Sequence, residues 1–491
     1  MTVSTAFAPD RAARGLAIKQ KYENTGAAGT KYRPCRIAVL GHGATATTYS
    51  TTKKRVFSAR EVGETYGYTS ELYGAALMLL PPNGDGVGDI PVTIYPLAQP
   101  SPGVASAGSI TPTGTISGSQ TYVIKVGNIE ASVTVTTGDT VATFCTAATA
   151  AINAVIGMPL FATDGTTKID VAAGWKGLSG NSIVIEIDSP ADADLTFVTV
   201  QPTGGSGTVD TAPALAQIGN IWETHLVNCH GDVSATITAL HEFGEGRVLP
   251  EVHKAITCYT GINTSSVATV AAITDARKTD RTNVYCPNPD SNDLPWVIAA
   301  RWVARIAKLA NENPAHDYAR LELTGLTQGA DGSQWTSSQR DFAVKSGCST
   351  IEVIDEVVNI SDTVTCYHPT GEEPPAYRYV CDIQKLDTVI YNADLIFGGK
   401  DWAGAPLVPD IQAVKNPTAK KPKMAMSALA KMFGDLADDA VISDPEFAIA
   451  NSSASIDGTN PKRLNVRIVC KLAGNTNVIS VDVAFGFYYG E

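Results

Sequence analysis

Apolar and polar positions alternate most clearly between Pro461 and Glu491. Leu464, Val466, Ile468, Cys470 and Leu472 are interleaved with Asn465, Arg467 and Lys471, a period of two that predicts a half-buried strand. Ala473-Gly474-Asn475 supplies turn chemistry. Ile479, Val481, Val483, Phe485 and Phe487 then alternate with Ser480, Asp482, Ala484 and Gly486, which predicts a second strand. Such a strand either closes the sheet of its own domain or adds to a sheet edge of a neighbouring copy. The pattern leaves both outcomes open.

Upstream, the first 32 residues carry Arg11, Arg14, Lys19, Lys21 and Lys31 among Ala, Gly and Thr, with no periodic stripe. They read as an arm, either disordered or ordered by docking onto a partner. Cys35 to Leu40 predicts a buried strand and Ser58 to Leu80 a helix stopped by Pro81-Pro82. Pro91 to Leu97 predicts the next strand, so the opening unit is β-loop-α-β. Between 99 and 206 the composition shifts to alternating strands at Thr121–Val126 and Glu130–Val135, with Thr140 capping a helix through Phe144, Ala148 and Ile152. This predicts a β-rich module inserted into the α/β unit. Short apolar strands at Thr224–Cys229, Ala255–Tyr259 and Thr282–Cys286 then alternate with helical stretches, which implies a mostly parallel sheet with helices on its faces. Asp293 is expected to cap, and Pro295 to open, the clearest amphipathic helix, with Val297, Ile298, Trp302, Ile306 and Leu309 on one stripe. A shorter amphipathic helix with Met426, Leu429, Met432, Phe433 and Leu436 precedes the terminal strands.

The expected organisation is therefore an arm (1–32), a discontinuous α/β core (33–98 and 207–394), the inserted module (99–206), a C-terminal α+β domain (395–460) and terminal strands (461–491). A length of 491 residues accommodates this many parts. The net charge of −12 leaves no basic excess to displace counterions from phosphate, so nucleic-acid binding is not expected. No apolar run reaches the ~18–20 residues that span a bilayer, and no secretory signal pattern precedes Asp10, so neither membrane insertion nor secretion is expected. Nine scattered cysteines without a CxxC pair predict free thiols in a reducing compartment.

Candidate chemistry is sparse. The strand running into Gly41-His42-Gly43-Ala44-Thr45-Ala46 has the glycine spacing of a dinucleotide turn, but the Thr-rich stretch after it opens no helix to hold a pyrophosphate. His225, His230, His241 and His253 lie close in sequence, with Cys229, Glu242 and Glu245 among them, yet no HExxH or CxxC spacing accompanies them and no metal site is expected. There is no G-x-S-x-G elbow and no G-x-x-x-x-G-K-[ST] loop. No catalytic, cofactor-binding or metal residue is therefore assigned. A cytosolic α/β hydrolase with a β insertion remains the alternative from another functional class, and it would need a nucleophile beside its base.

Several stretches, in order along the chain, resemble the contractile tail sheath proteins of Mu-like phages. Arg14-Gly15-Leu16-Ala17-Ile18 with Lys21 to Gly26 is similar to the family's N-terminal arm, Pro34 to Gly41 to its first strand, and Phe57 to Met78 to its first helix. Gly138-Asp139-Thr140, Ala148 to Ala154 and Lys176 to Asn181 resemble the inserted module of many sheaths. Asn313-Pro314-Ala315 with Leu321 to Leu326, Val364 to Tyr367, and Arg463 to Val466 resemble later segments.

The resemblance implies a core of subtilisin-like topology without protease activity, and subunits stacked as hexameric rings around an inner tail tube. It implies that the terminal arms, here Leu16 and Ile18 with Ile479, Val481, Val483 and Phe485, add strands to neighbouring copies. Contraction would drive the tube through the host envelope. Partners would be further copies of the chain, the tail tube protein, and baseplate and tail terminator proteins. Assembly would take place in the host cytoplasm and the product would be a virion tail, or alternatively a phage-derived contractile injection particle. The resemblance places the tube-facing surface in the C-terminal region, where Lys415, Lys420, Lys421, Lys423 and the helix after them are the candidates.

Overall fold

In a computed structural model, residues 32–330 and 332–487 are described. They fall into two units, 32–391 with 472–487 and 392–471. Leu16 and Ile18 lie outside the described residues.

The first unit is built on a mixed six-stranded sheet. β1 (Ile37–His42) is buried along its whole length, because strands pair with it on both sides and helices cover the faces. After β2 (Lys54–Val56), the single helix expected from Ser58 to Leu80 is two, α1 (Ala59–Tyr66) and α2 (Glu71–Leu79). The break falls where Gly67 takes a positive φ of 91° and Ser70 caps a new start by accepting from the Tyr73 amide. β3 (Val92–Leu97) returns to pair parallel with β1, and β2 pairs antiparallel with β3 at the edge.

The inserted module follows as β4 (Ala107–Gly114), β5 (Gln120–Val126), β6 (Ile129–Val135), α3 (Val141–Ala154), β7 (Leu160–Asp164), β8 (Ile169–Ala173), β9 (Ile185–Asp188) and β10 (Leu195–Thr203). Its strands form a four-stranded and a three-stranded sheet. Thr140 caps α3 in a reciprocal box with Thr143, the arrangement its sequence suggests. Tyr122, Phe144 and Phe197 meet edge-on or tilted with centroids 5.3–5.6 Å apart.

α4 (Ala212–Ala216) leads back to the main sheet. β11 (His225–Asn228), α5 (Ser234–Arg247), β12 (Thr257–Ile262), α6 (Val267–Asp275) and β13 (Asn283–Pro287) extend it, giving the order β13-β12-β11-β1-β3-β2. All pairs except β2–β3 are parallel. The strand order reverses between β1 and β11, where open α/β sheets leave a crevice at the strand C-termini. α7 (Pro295–Glu312) crosses one face, and Gly261 lets it approach β12 closely. Its N-cap is Leu294, not Asp293: the Asp293 carboxylate instead accepts from Asn288 Nδ2 and the Thr327 amide, each at 2.8 Å. α8 (Ser337–Lys345), the antiparallel pair β14 (Thr350–Ile354) and β15 (Val357–Asp362), and α9 (Val380–Phe397) follow.

In the second unit, α10 (Pro422–Asp438) buries Ala425, Leu429, Met432, Phe433 and Leu436, the stripe legible in its sequence. β16 (Ile442–Ser443), α11 (Pro445–Asn451) and β17 (Ser453–Ile456) follow, and β17 pairs antiparallel with β18 (Leu464–Arg467). The strand expected over 464–472 is thus four residues long before β19 (Lys471–Leu472).

Candidate assembly interface and a buried polar centre

The alternating segment 478–487 forms no strand among the described residues. It is nevertheless tethered at its root. Lys385, whose side chain is 1% exposed, donates its ammonium to the Ala473 carbonyl at 2.6 Å, to the Asn475 side chain, and to Asp382 at 3.2 Å. Asn475 Nδ2 donates to the Ala315 carbonyl at 3.0 Å. Beyond Asn477, which hydrogen bonds the Tyr379 side chain, Val478, Ile479, Val481, Val483, Phe485 and Phe487 are 73–83% exposed. An apolar face of period two, held at its base and covered by nothing among the described residues, is a strand without a ladder. Burying its five alternating side chains would contribute roughly 10 kcal/mol at about 2 kcal/mol each.

The four candidate lysines do not form one uniform patch. Lys415 and Lys423 are exposed. Lys420 places its ammonium 5.6 Å from the centre of the Trp402 ring, and Lys421 donates to the Gln412 carbonyl at 2.5 Å. Half of the positive charge is therefore engaged within the unit.

The four histidines that cluster in sequence separate in space. His225 faces the Tyr259 hydroxyl at 3.2 Å, His241 faces Asp280 at 3.1 Å, and His253 turns back to the Pro250 carbonyl at 3.2 Å. His230 meets residues that sequence spacing did not connect to it. The parallel register pairs Leu40 with Asn228, so two residues further on His42 stands beside His230 with ring centroids 4.6 Å apart. Asn228 shapes the turn, accepting from the His230 amide and donating to the Gly231 carbonyl, both at 3.0 Å. Glu71, the first residue of α2, points its carboxylate between the imidazoles, where the helix N-terminus also favours negative charge. Its Oε1 lies 3.1 Å from His42 Nδ1 and 3.8 Å from His230 Nε2, and accepts from the His42 amide at 2.6 Å. Its Oε2 accepts from Ser179 Oγ at 2.9 Å, and Ser179 in turn accepts from Trp175 Nε1 at 2.8 Å.

Burial raises the Glu71 carboxyl, but the His42 hydrogen bonds and the neighbouring imidazoles outweigh it and hold the group below its ordinary range. Burial pushes the His230 imidazole down to about 4, so it is neutral at physiological pH. The Cys229 thiol is pushed up by burial and by Glu71. Ser179 is 3% exposed and gives its proton to the carboxylate, not to an imidazole, so this serine is not set up as an activated nucleophile.

No family model matches the sequence, and no curated protein matches it. Among solved structures, the chain is similar to a sheath tail protein of Desulfitobacterium hafniense at 13% identity and a TM-score of 0.48, over 93% of this chain and 100% of that one. It is similar to the sheath tail protein Lin1278 of Listeria innocua at 13% identity and 0.48, over 92% and 94%. It is also similar to the helical sheath of the anti-feeding prophage in its contracted state, at 11% identity and 0.49, over 96% and 99%.

Proposed function

We propose that the chain is the subunit of a contractile tail sheath, which polymerises helically around a tail tube and contracts to drive the tube through a host envelope. The observation that carries this reading is the C-terminal segment: an alternating apolar segment, clamped at Ala473 and Asn475, whose apolar side chains have no cover among the described residues. Ile479, Val481, Val483 and Phe485 supply the alternate side chains with which an added strand fills pockets, while its backbone completes a neighbouring copy's ladder. Leu16 and Ile18 of the N-terminal arm belong to the same proposal. A heterologous link of this kind generates a helical lattice where successive copies are rotated so that they do not close on themselves. Ladder bonds can hold copies together while the folded units move past one another, which lets one lattice have an extended and a contracted form.

A subtilisin-like core, hexameric rings, and tube, baseplate and terminator proteins as partners complete the reading, with assembly in the host cytoplasm. Tube contact through Lys415, Lys420, Lys421, Lys423 and α10 is part of it. Electrostatic contact at exposed lysines is weak and salt-screened, suited to release on triggering. Lys415→Glu with Lys423→Glu is expected to yield sheaths that assemble but no longer retain the tube. Tube-filled sheaths from that variant would remove the lysines from the proposal.

A further inference from the structure

We infer that His42, Glu71 and His230 form a buried site for a divalent metal ion of the zinc class. The three donors come from the end of β1, the start of α2 and the turn after β11, and their ligand atoms all lie within 4.8 Å of one another. They are the one such group among the described residues. A tetrahedral ion with bonds of about 2.0–2.1 Å sets its ligand atoms roughly 3.3 Å apart. The observed separations from Glu71 Oε1, 3.1 Å to His42 and 3.8 Å to His230, bracket that value. The longer one exceeds hydrogen-bond length but fits two donors that share an ion.

The burial points the same way. All three side chains are at most 1% exposed, and His230 Nε2, the atom that faces Glu71, has no hydrogen-bond partner among the described residues. Buried imidazole nitrogens are ordinarily satisfied. Two imidazoles with one carboxylate are a ligand set for zinc, iron, nickel or copper rather than magnesium or calcium. The carboxylate is held in orientation, since Ser179 donates to its other oxygen and itself accepts from Trp175 Nε1. Gly41 lies against the site, between Cys229 and Glu71. Cys229 Sγ and Glu71 Oε1 each lie 3.1 Å from where a Cβ on Gly41 would stand, so a glycine is needed there.

The site occupies the sheet's switch point, where a crevice is expected, and Trp175 and Ser179 of the inserted module close it over. An ion enclosed in this way is taken up as the chain folds, and it ties the module to the sheet.

The test uses the full chain expressed in zinc-supplemented medium, with metal content measured by plasma mass spectrometry. About one zinc per chain is expected, falling about tenfold or more in His230→Gln and in His42→Gln. In case those variants do not fold, the wild-type chain is also refolded from denaturant with zinc, with cobalt(II), or with a chelator. Tetrahedral cobalt absorption and a higher melting temperature with metal than with chelator are expected. Background zinc in the wild-type chain together with refolding indifferent to metal would overturn the inference. So would zinc content unchanged by both histidine substitutions in folded protein.

Discussion

The buried ammonium of Lys385 donates to the backbone carbonyl of Ala473 at 2.6 Å, and so fixes the point at which the C-terminal segment leaves its unit. Lys385→Met is expected to keep the aliphatic stem but leave that carbonyl without its donor. The expected cost is about 1–3 kcal/mol. Urea unfolding measures it, and limited proteolysis is expected to cut sooner between Ala473 and Phe487. Unchanged stability and an unchanged cutting pattern would show that the clamp does not hold the segment.

Gly261 sits where β12 and α7 meet. A Cβ there would lie 2.0 Å from the Pro295 carbonyl oxygen and 3.0 Å from Ile298 Cβ, and the first of these is backbone that cannot swing away. Gly261→Ala is therefore expected to destabilise by about 3 kcal/mol or more. Gly434, within α10, has nothing within 4 Å of its Cβ position. Gly434→Ala is expected to stabilise by roughly 0.5–1 kcal/mol through helix propensity and a less flexible unfolded chain. Thermal melts of the two variants should move in opposite directions.

Acid should expose His225. Burial, reinforced by Arg33, pushes its imidazole from 6.5 down to about 3. The unfolded chain therefore takes up this proton near pH 6.5 and the folded chain only near pH 3. The neutral histidine's contribution is complete above pH 6.5 and is lost as pH falls towards 3. Asp293 acts in the opposite sense: burial raises it to about 6, so its charge opposes folding above pH 6 and that cost is relieved on the way down to about 4. Asp293 is common to both chains when wild type is compared with His225→Gln, so the difference isolates the histidine. Wild type is expected to lose up to about 5 kcal/mol relative to the variant between pH 6.5 and pH 3. Parallel stability curves over that range would contradict the assignment.

The local patterns were legible where one segment decides its own structure. β1, β3 and the α10 stripe follow from runs and spacing, and the Thr140 cap from its position before an apolar helix. Two local readings gave way to neighbours. Gly67 and Ser70 split one expected helix, and Asn288 and Thr327 take the carboxylate that Asp293 was expected to offer α7. The buried centre could not be read at all from motif spacing. His42 and Glu71 are 29 residues apart and His230 is far beyond both, so only the pairing of β1 with β11 unites them. The terminal strand is the converse case. Its alternation is clear from Ile479 to Phe487, yet a strand is completed by a ladder, and no ladder partner for it is found among the described residues.

The central claim is that this segment joins one copy to the next, and electron microscopy of purified chains tests it directly. The full chain is to be compared with Val481→Lys/Val483→Lys, which places charge on the apolar face but leaves the Lys385 clamp intact. The account predicts striated tubes from the full chain and discrete particles with an unchanged melting temperature from the variant. Tubes from both, or discrete particles from both, would contradict it.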